Sequence, residues 1–285
     1  MRAEHESQQD ASSKAARLCE QQTVEVSELW EVLYAEAELV AGREARLRHL
    51  LDDVILSRRC LGEAMAARLS RKLSREDMGR DELQSLFFEV FCDHPMVVRA
   101  AAEDIEAIHS RDPACDSPLE PLLFYKGFAA ITTYRVSHQL WRNDRRHLAW
   151  YFQSLASEAF GVDIHPAAQI GCGILLDHAT SFVVGETGII EDCVSILHEV
   201  TLGGTGKESG ARHPIVRSGV LLGAGAKILG RIEIGEGAKV GAGSVVLNDV
   251  EPHSTVAGVP AVVVGRSSEE NPAMAMDQSL RCSGI

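Results

Sequence analysis

The stretch "VRSGVLLGAGAKILGRIEIGEGAKVGAGSVV", residues 216–246, decides the fold because an aliphatic residue returns at every sixth position. These positions are 216, 222, 228, 234, 240 and 246, and glycine follows the aliphatic residue at 223, 235 and 241. Neither the helical period of about 3.6 residues nor the strand period of about two fits this spacing. A six-residue period is a signature of the parallel β-helix, in which short strands form coils that stack on one apolar core.

Residues 164–200 repeat the same period in another phase. Counting in sixes from Ile164 gives apolar residues at 170, 176, 182, 194 and 200, with Gly188 as the one exception. This series cannot continue into the series that starts at 216, because the step from 200 to 216 is not a multiple of six. Between them lies "GTGKESGARHP", residues 204–214, whose Gly, Ser and Pro content is typical of an exposed loop. We therefore predict a parallel β-helix that carries one inserted loop.

The chain before residue 161 has the spacing of amphipathic helices. Apolar residues recur at helical intervals, as at Leu83, Phe87 and Val90, and prolines separate the helical segments. The predicted fold class is therefore α + β, with an N-terminal all-α domain followed by a parallel β-helix. The predicted parts are a disordered start (1–23), the all-α domain (24–160), the β-helix (161–265) and a flexible C-terminal tail (266–285).

The totals exclude several classes of protein. The chain has 285 residues, a formal net charge of -13 and seven scattered cysteines without a C-x-x-C pair. The negative charge argues against a nucleic-acid partner, because phosphate recognition relies on clustered Lys and Arg. The cysteine pattern is typical of reduced thiols in a cytosol, and no apolar run approaches the length of a membrane span. We expect a soluble cytoplasmic protein with no nucleic-acid and no membrane partner.

A charged pair, Asp177 and His178, interrupts the otherwise small and aliphatic stretch "GCGILLDHATSFVVGET", residues 171–187. His178 follows Leu176 by two residues, so the core does not have to bury it, and a lone exposed histidine is more often solvated than functional. If a coil is three hexads long, the position one coil after Asp163 is 181, close to His178. A carboxylate behind an imidazole fixes its tautomer, as a general base requires. The spacing allows this pairing without requiring it.

The inserted loop brings Arg212 and His213 out from the β-helix, where they either bind a ligand or remain solvated. Zinc is a rival interpretation, with His178, His198 and His213 as its ligands. The step from His178 to His198 is not a multiple of six, so the two occupy different hexad positions and are not expected to stack in register. We predict that the protein holds no metal.

Ala224 and Ala242 are separated by three hexads, the expected length of one coil, and should therefore stack one above the other. Two small side chains in line, with Lys239 close by, would leave a shallow groove where an extended ligand could lie against backbone amides. The alternative is that both alanines are simply corner residues of the coil.

At these residues the chain resembles the serine O-acetyltransferases of the hexapeptide-repeat acyltransferase family. The similarity rests on "RDPA" at 111–114, "LDHAT" at 176–180, "VTLGGTGK" at 200–207 and "RHP" at 212–214. Sugar and xenobiotic acetyltransferases share the hexads but lack this helical half. The resemblance implies transfer of the acetyl group of acetyl-CoA to the hydroxyl of L-serine, giving O-acetyl-L-serine and CoA in the first step of cysteine biosynthesis.

The resemblance also implies roles for single residues. His178 matches the general base that takes the proton of the serine hydroxyl, and Asp163 matches the aspartate that orients this base. The hydroxyl attacks the thioester directly, without an acyl-enzyme. The residues that match the family's serine contacts are Asp112, Asp177, Arg212 and His213. The residues that match its coenzyme A groove are Gly204, Thr205, Ala224, Lys239 and Ala242.

The same resemblance implies a left-handed β-helix, trimers with active sites between neighbouring subunits, and a homohexamer of two trimers paired through the all-α domains. L-cysteine is the expected feedback inhibitor, and the terminal Ile285 matches the isoleucine that family members insert into O-acetylserine sulfhydrylase. The alternatives are acetylation of another hydroxyl, such as that of homoserine or a sugar, and a protein that acts chiefly as a sulfhydrylase partner. Asp112 and Asp177 argue against a sugar, because two carboxylates favour an ammonium.

Overall fold

The computed structural model describes residues 23–206, 209–267 and 269–280 of the chain. A helical half is followed by a parallel β-helix, which confirms the predicted fold class. The helices are α1 (Val24–Arg43), α2 (Arg48–Leu51), α3 (Leu61–Leu73), α4 (Arg80–Asp93), α5 (Pro95–Arg111), α6 (Leu119–Leu123), α7 (Lys126–Arg142), α8 (Arg146–Phe160) and α9 (Pro272–Ala275). Within the described ranges, no helix combines the length and the hydrophobicity that a bilayer crossing needs.

The helical half packs around α7, which is buried along most of its length. The rings of Phe87 on α4 and Phe152 on α8 meet in its core with their centroids 5.1 Å apart. Helix α8 ends at Gly161, whose φ of +67° is a left-handed conformation that glycine adopts without strain. Strand β1 begins at the next residue, so the chain passes from helix to β-helix without a linker.

Three parallel sheets form the three faces of the β-helix. The strands are β1 (Val162–Ile164), β2 (Gln169–Ile170), β3 (Leu175–Leu176), β4 (Phe182–Val184), β5 (Ile189–Ile190), β6 (Ser195–Ile196), β7 (Thr201–Gly203), β8 (Ile215–Val216), β9 (Leu221–Leu222), β10 (Lys227–Leu229), β11 (Glu233–Ile234), β12 (Lys239–Val240), β13 (Val245–Val246), β14 (Ser254–Gly258) and β15 (Ala261–Arg266). Sheet 1 has the order β1-β4-β7-β10-β13, and sheet 2 the order β2-β5-β8-β11. Sheet 3 has the order β3-β6-β9-β12-β14, with β15 added antiparallel at its edge.

The coils differ in length, and this explains the change of phase in the sequence. Ile164 pairs with Val184, so the first coil is two residues longer than the expected three hexads. Val184 then pairs with Leu202, and the inserted loop places Val216 opposite Ile190. The predicted series therefore follows the paired residues only as far as 176. At 182, 194 and 200 it instead follows residues that lie two positions before the paired residues 184, 196 and 202, and these residues are also buried.

A buried ion pair joins the helical half to the first coil. Asp104 on α5 accepts hydrogen bonds from Nη2 and Nε of Arg135 on α7, at 2.7 and 3.2 Å. Its other carboxylate oxygen accepts the backbone N–H of Ile174 in the first coil at 2.8 Å. The two charged side chains are 1% and 7% exposed. Charges so far from water persist only when they are paired, so this contact fixes how the two halves meet.

The flexibility of the C-terminal tail (266–285) stays a prediction, although two residues of its described part, Pro272 and Ala273, are buried against sheet 3. Helix α9 lies there with Ala273 fully buried, and the Ser195 hydroxyl donates to the Ala273 carbonyl at 2.8 Å. Further along, Lys239 Nζ donates to the Ser279 carbonyl at 2.6 Å. Pro272 and Ala273 are apolar residues through which this largely polar segment contacts sheet 3. Residues 1–22 and Ile285 lie outside the described residues.

Candidate active site

One cleft of about 380 Å³ lies where the helical half meets the first coil. Asp112, Lys126, Asp177 and His178 line it. Asp112 follows the end of α5 and Lys126 begins α7, while Asp177 and His178 lie at the corner between sheet 3 and sheet 1. The structure thus brings together three predicted site residues. The six-residue period carries no signal for Lys126, because this residue comes from the helical half.

Helix α7 reaches the corner because its second residue is glycine. A Cβ added to Gly127 would lie 2.0 Å from the carbonyl oxygen of Leu176, immediately before Asp177. At this distance the backbones touch, which places the Lys126 ammonium beside the corner. Lys126 Nζ donates to the Thr180 hydroxyl at 2.5 Å. The helical half therefore closes one side of the cleft.

His178 lies at a corner that the two extra residues of the first coil enlarge. The backbone φ angles of His178 and Ala179 are +54° and +60°, in the left-handed region that residues other than glycine adopt rarely. The methyl group of Ala179 is fully buried and anchors the corner, while the His178 side chain is 74% exposed. Unusual backbone conformations of this kind cluster at functional sites. The geometry turns the imidazole outward, toward the cleft.

Two side chains contact the His178 imidazole. Its Nε2 lies 3.7 Å from Oδ2 of Asp177, and its ring meets the ring of His198 edge to face with centroids 5.8 Å apart. The prediction that His178 and His198 do not stack is therefore wrong. Because the first coil is longer than three hexads, Leu176 pairs with Ile196 and the histidines that follow are neighbours. Within the described residues, no three His, Cys, Asp or Glu side chains form a group that could hold a metal ion.

Burial raises the pKa of Asp177, and the neighbouring Asp112 raises it further, while His178 opposes both effects. The cause is that two carboxylates share a partly dehydrated space in which their charges repel. A cation placed between them would relieve this repulsion. The cleft is therefore suited to a protonated amine next to an exposed imidazole.

Asp163 lies on β1 and its carboxylate has another partner in the described chain. Its Oδ1 accepts a hydrogen bond from Gln153 Nε2 on α8 at 2.6 Å. Its pairing partner on β4 is Val183, two residues beyond the predicted position 181. Among the described residues, no ion pair within 4.0 Å joins Asp163 to His178. The orienting role of Asp163 stays a prediction.

Arg212 and His213 form a second group, together with Glu186 and Thr187 from the coil beneath. Arg212 Nη2 pairs with Glu186 Oε2 at 2.8 Å, which holds the pKa of that carboxyl below its usual range. The Thr187 hydroxyl accepts the backbone N–H groups of Arg212 and His213 at 2.9 and 3.1 Å. Burial lowers the pKa of His213, and the Arg212 charge lowers it further. The loop end is thus fixed, and the surroundings of the His213 imidazole favour its neutral form.

Sequence reasoning missed Glu186 and Thr187. They meet the loop because Ile190 pairs with Val216, and that register depends on how many residues the loop adds. A signal for them exists only once the loop length is known. Residue 185 must also be small, since a Cβ added to Gly185 would lie 2.0 Å from His213 Nε2.

The two groups lie at different corners of the same chain. His178 is at the corner between sheets 3 and 1, and Arg212 is at the corner between sheets 1 and 2. Strand β4 (Phe182–Val184) separates these two corners. A single chain therefore does not bring Arg212 and His213 to His178.

The residues predicted for the coenzyme A groove are distributed over two faces. The backbone N–H of Gly243 donates to the Ala224 carbonyl at 2.7 Å, so the predicted stacking of Ala224 and Ala242 is confirmed. Lys239 lies instead on sheet 3, where it is 7% exposed beneath Ser279. The role of the groove itself stays a prediction. Gly204 and Thr205 begin the inserted loop, Gly204 lying beside Arg212.

Two family models match this chain, one in the helical half and one in the β-helix. A family model described as serine acetyltransferase, N-terminal, matches residues 29–133, and the bacterial transferase hexapeptide model matches residues 213–248. The serine acetyltransferase of Salmonella typhimurium is 50% identical over 254 residues, which cover 89% of this chain and 93% of that protein. The chain belongs to the serine acetyltransferase family. It is therefore an acyltransferase.

Solved structures of serine acetyltransferases share the fold described above. One in complex with cysteine has a TM-score of 0.87 at 49% identity and covers 89% of this chain and 98% of its own. A Brucella abortus serine acetyltransferase in complex with coenzyme A has a TM-score of 0.83 at 46% identity, covering 85% and 96%. A soybean serine acetyltransferase complexed with serine has a TM-score of 0.83 at 50% identity, covering 85% and 100%. The similarity extends over both halves of the serine acetyltransferase fold.

Proposed function

We propose that this protein transfers the acetyl group of acetyl-CoA to the hydroxyl of L-serine, giving O-acetyl-L-serine and CoA, as the first step of cysteine biosynthesis. The observation that carries the proposal is the cleft in which Asp112, Asp177 and His178 meet. Two carboxylates suit the ammonium of an amino acid, and an imidazole beside them can take a proton from its hydroxyl. Relatives solved with serine and with coenzyme A support the choice of substrates.

In the proposed mechanism His178 acts as the general base. It removes the proton of the serine hydroxyl while the oxygen attacks the thioester carbonyl carbon. The tetrahedral intermediate collapses with cleavage of the C–S bond, and the imidazolium returns its proton to the departing sulfur of CoA. No covalent enzyme intermediate forms. Asp163, on the strand that starts beside this corner, orients the imidazole once the substrates are bound.

We further propose that Arg212 and His213 reach the cleft from a neighbouring subunit. The three-sided β-helix places them at one corner and His178 at another, so three chains packed around a common axis bring the two corners together. The Arg212 guanidinium then binds the serine carboxylate bidentately in place of Glu186. This arrangement supports a trimer, and two trimers paired through the helical halves form the proposed homohexamer.

The remaining ligands follow from the same family. Acetyl-CoA lies in the groove formed by residues 204–205 and by the alanine column at 224 and 242, with Lys239 at its edge once Ser279 is displaced. L-cysteine, which has the ammonium and carboxylate of serine, competes for the cleft as a feedback inhibitor. Ile285 binds O-acetylserine sulfhydrylase, the reaction needs no metal, and the protein works in the cytoplasm.

The Asp177→Asn variant tests the substrate class. Thiol release from acetyl-CoA is measured with L-serine, with homoserine and with a galactoside. Serine is expected to be the best acceptor, and Asp177→Asn to raise the KM for serine about tenfold or more, because a charged hydrogen bond is lost. Asp116→Asn, an exposed carboxylate four residues after Asp112, is the matched control and should behave as wild type. Thiol release that does not depend on serine in the folded wild type would disprove the function.

Gly185→Ala tests the role of His213 without a substitution at residue 213 itself. The added methyl group displaces the imidazole, and a shift of about 1 Å in a positioning group can cost up to 100-fold in activity. We expect kcat/KM for serine to fall by about 10- to 100-fold, while the affinity for coenzyme A is kept. Gly265→Ala is the control, since a Cβ there meets no atom within 4 Å. Equal activity of the two variants would exclude His213 from the site.

A further inference from the structure

A group of cations on the helical half has no part in the proposed reaction. Its members, which we call the basic cluster, are Arg58, Arg68, Arg71, Lys72 and Arg80. Three of them surround a single carboxylate, Asp53. The other two lie with Arg71 on helix α3, where neighbouring cations are close enough to repel one another. The cluster therefore carries a surplus of positive charge in a chain whose net charge is -13.

The carboxylate lies beneath the guanidinium groups. Oδ2 of Asp53 accepts from Arg71 Nη1 at 2.8 Å and from Arg80 Nη2, and Oδ1 accepts from Arg58 Nη2 at 3.3 Å. The Asp53 side chain is 18% exposed, against 31% for Arg71 and 34% for Arg80. A single carboxylate thus pairs with three guanidinium groups.

Two donors of the cluster are buried without an acceptor. Nε of Arg68 and Nε of Arg80 have no hydrogen-bond partner in the part of the chain that the structure describes. Burial lowers the pKa of Arg68 and of Lys72, and a neighbouring cation lowers each of them further. Buried donors in proteins are almost always paired, and uncompensated like charges repel. Asp53 alone therefore leaves the cluster electrostatically incomplete.

The backbone that carries Asp53 is itself unusual. Residues Asp52–Leu56 form a π-helical turn, and the Asp53 carbonyl accepts from Nε and Nη2 of Arg58 at 2.8 and 2.6 Å. Single π-helical turns are rare and occur frequently at functional sites. Here the turn places both oxygens of Asp53 under guanidinium groups, two of which come from other elements, α3 and α4. Such convergence from separate elements indicates a built site.

We propose that the basic cluster binds a tetrahedral oxyanion of the phosphate type, with Arg71 and Arg80 as its principal ligands. A guanidinium presents two parallel N–H donors that match two oxygens of such an anion. The anion adds acceptors above the carboxylate and neutralises charge that Asp53 leaves uncompensated. The basic cluster takes no part in acetyl transfer, so phosphate binding can be tested independently of the proposed function.

Calorimetric titration of the full-length protein with inorganic phosphate tests the proposal, with ionic strength held constant by sodium chloride. We expect saturable binding of one phosphate per chain. Arg71→Gln and Arg80→Gln should each weaken it by about tenfold or more, because each removes a charged hydrogen bond. Arg99→Gln is the matched control, since Arg99 pairs with one exposed carboxylate, Glu103, at 3.0 Å. Its affinity should remain that of the wild type.

The Asp53→Asn variant is expected to strengthen phosphate binding, whereas the arginine variants weaken it. Removing the rival anion raises the positive charge of the cluster, so phosphate should bind several-fold more tightly, provided that circular dichroism shows an unchanged fold. Phosphate is also excluded from protein surfaces in general. This effect gives no saturable binding, and it is the same in the Arg99→Gln control. No saturable binding in the wild type, or equal affinity in wild type, Arg71→Gln and Arg80→Gln, would overturn the proposal. A change of oligomeric state in Arg71→Gln with phosphate binding intact would overturn it as well.

Discussion

Replacing His178 with alanine is expected to lower kcat for serine acetylation by about 10²- to 10⁴-fold, the usual contribution of a positioned general base. The serine hydroxyl is a weak nucleophile until its proton is removed, and His178 is the imidazole that faces the cleft between Asp112 and Asp177. The side chain is 74% exposed, so its loss should leave the fold intact. Thiol release at saturating serine and acetyl-CoA measures the effect.

The matched control for this prediction is His109→Ala, an exposed histidine on α5. It should leave kcat at the wild-type value. Binding of coenzyme A to His178→Ala, measured separately, should also be unchanged, because the alanine column at residues 224 and 242 lies on later coils. If His178→Ala kept its kcat, or lost it only together with coenzyme A binding, the imidazole would not be the base.

The period of the aliphatic residues predicts the β-helix because every coil must place the same kind of side chain on one core. It does not predict the length of a particular coil, because the residues added at a corner never enter that core. The two added between 176 and 184 make the first coil longer than three hexads, and they change which side chains meet. The hexad positions of His178 and His198 therefore could not reveal that the two rings are in contact.

The residues of the candidate site likewise fall into those that the sequence predicts and those that it does not. Asp177 and His178 stand out in the sequence because polar residues interrupt an apolar run, and a repeat makes such interruptions visible. Lys126 and Glu186 carry no comparable signal, since one begins a helix and the other lies at an ordinary corner. Their places depend on packing between parts of the chain that are distant in sequence. Six-residue spacing describes only neighbours along the β-helix, so it cannot report these contacts.

The largest effect on stability is expected from Asp104→Ala. The change leaves the Arg135 guanidinium buried without a counter-charge and the Ile174 N–H without an acceptor. Removing one partner of a buried ion pair costs about 3–5 kcal/mol in the free energy of unfolding. The helical half and the first coil meet at this buried pair, so their junction is expected to open first. Urea unfolding followed by circular dichroism measures the loss.

The neighbouring residue supplies the control, because Glu103 forms an exposed pair with Arg99 at 3.0 Å. Glu103→Ala should cost less than about 1 kcal/mol, as exposed ion pairs do. The double variant Asp104→Leu with Arg135→Met should recover most of the stability lost in Asp104→Ala, since it removes the unpaired charge rather than one partner. Recovery would show that the pair contributes little net energy of its own. Equal losses for Asp104→Ala and Glu103→Ala would show that the pair does not hold the junction.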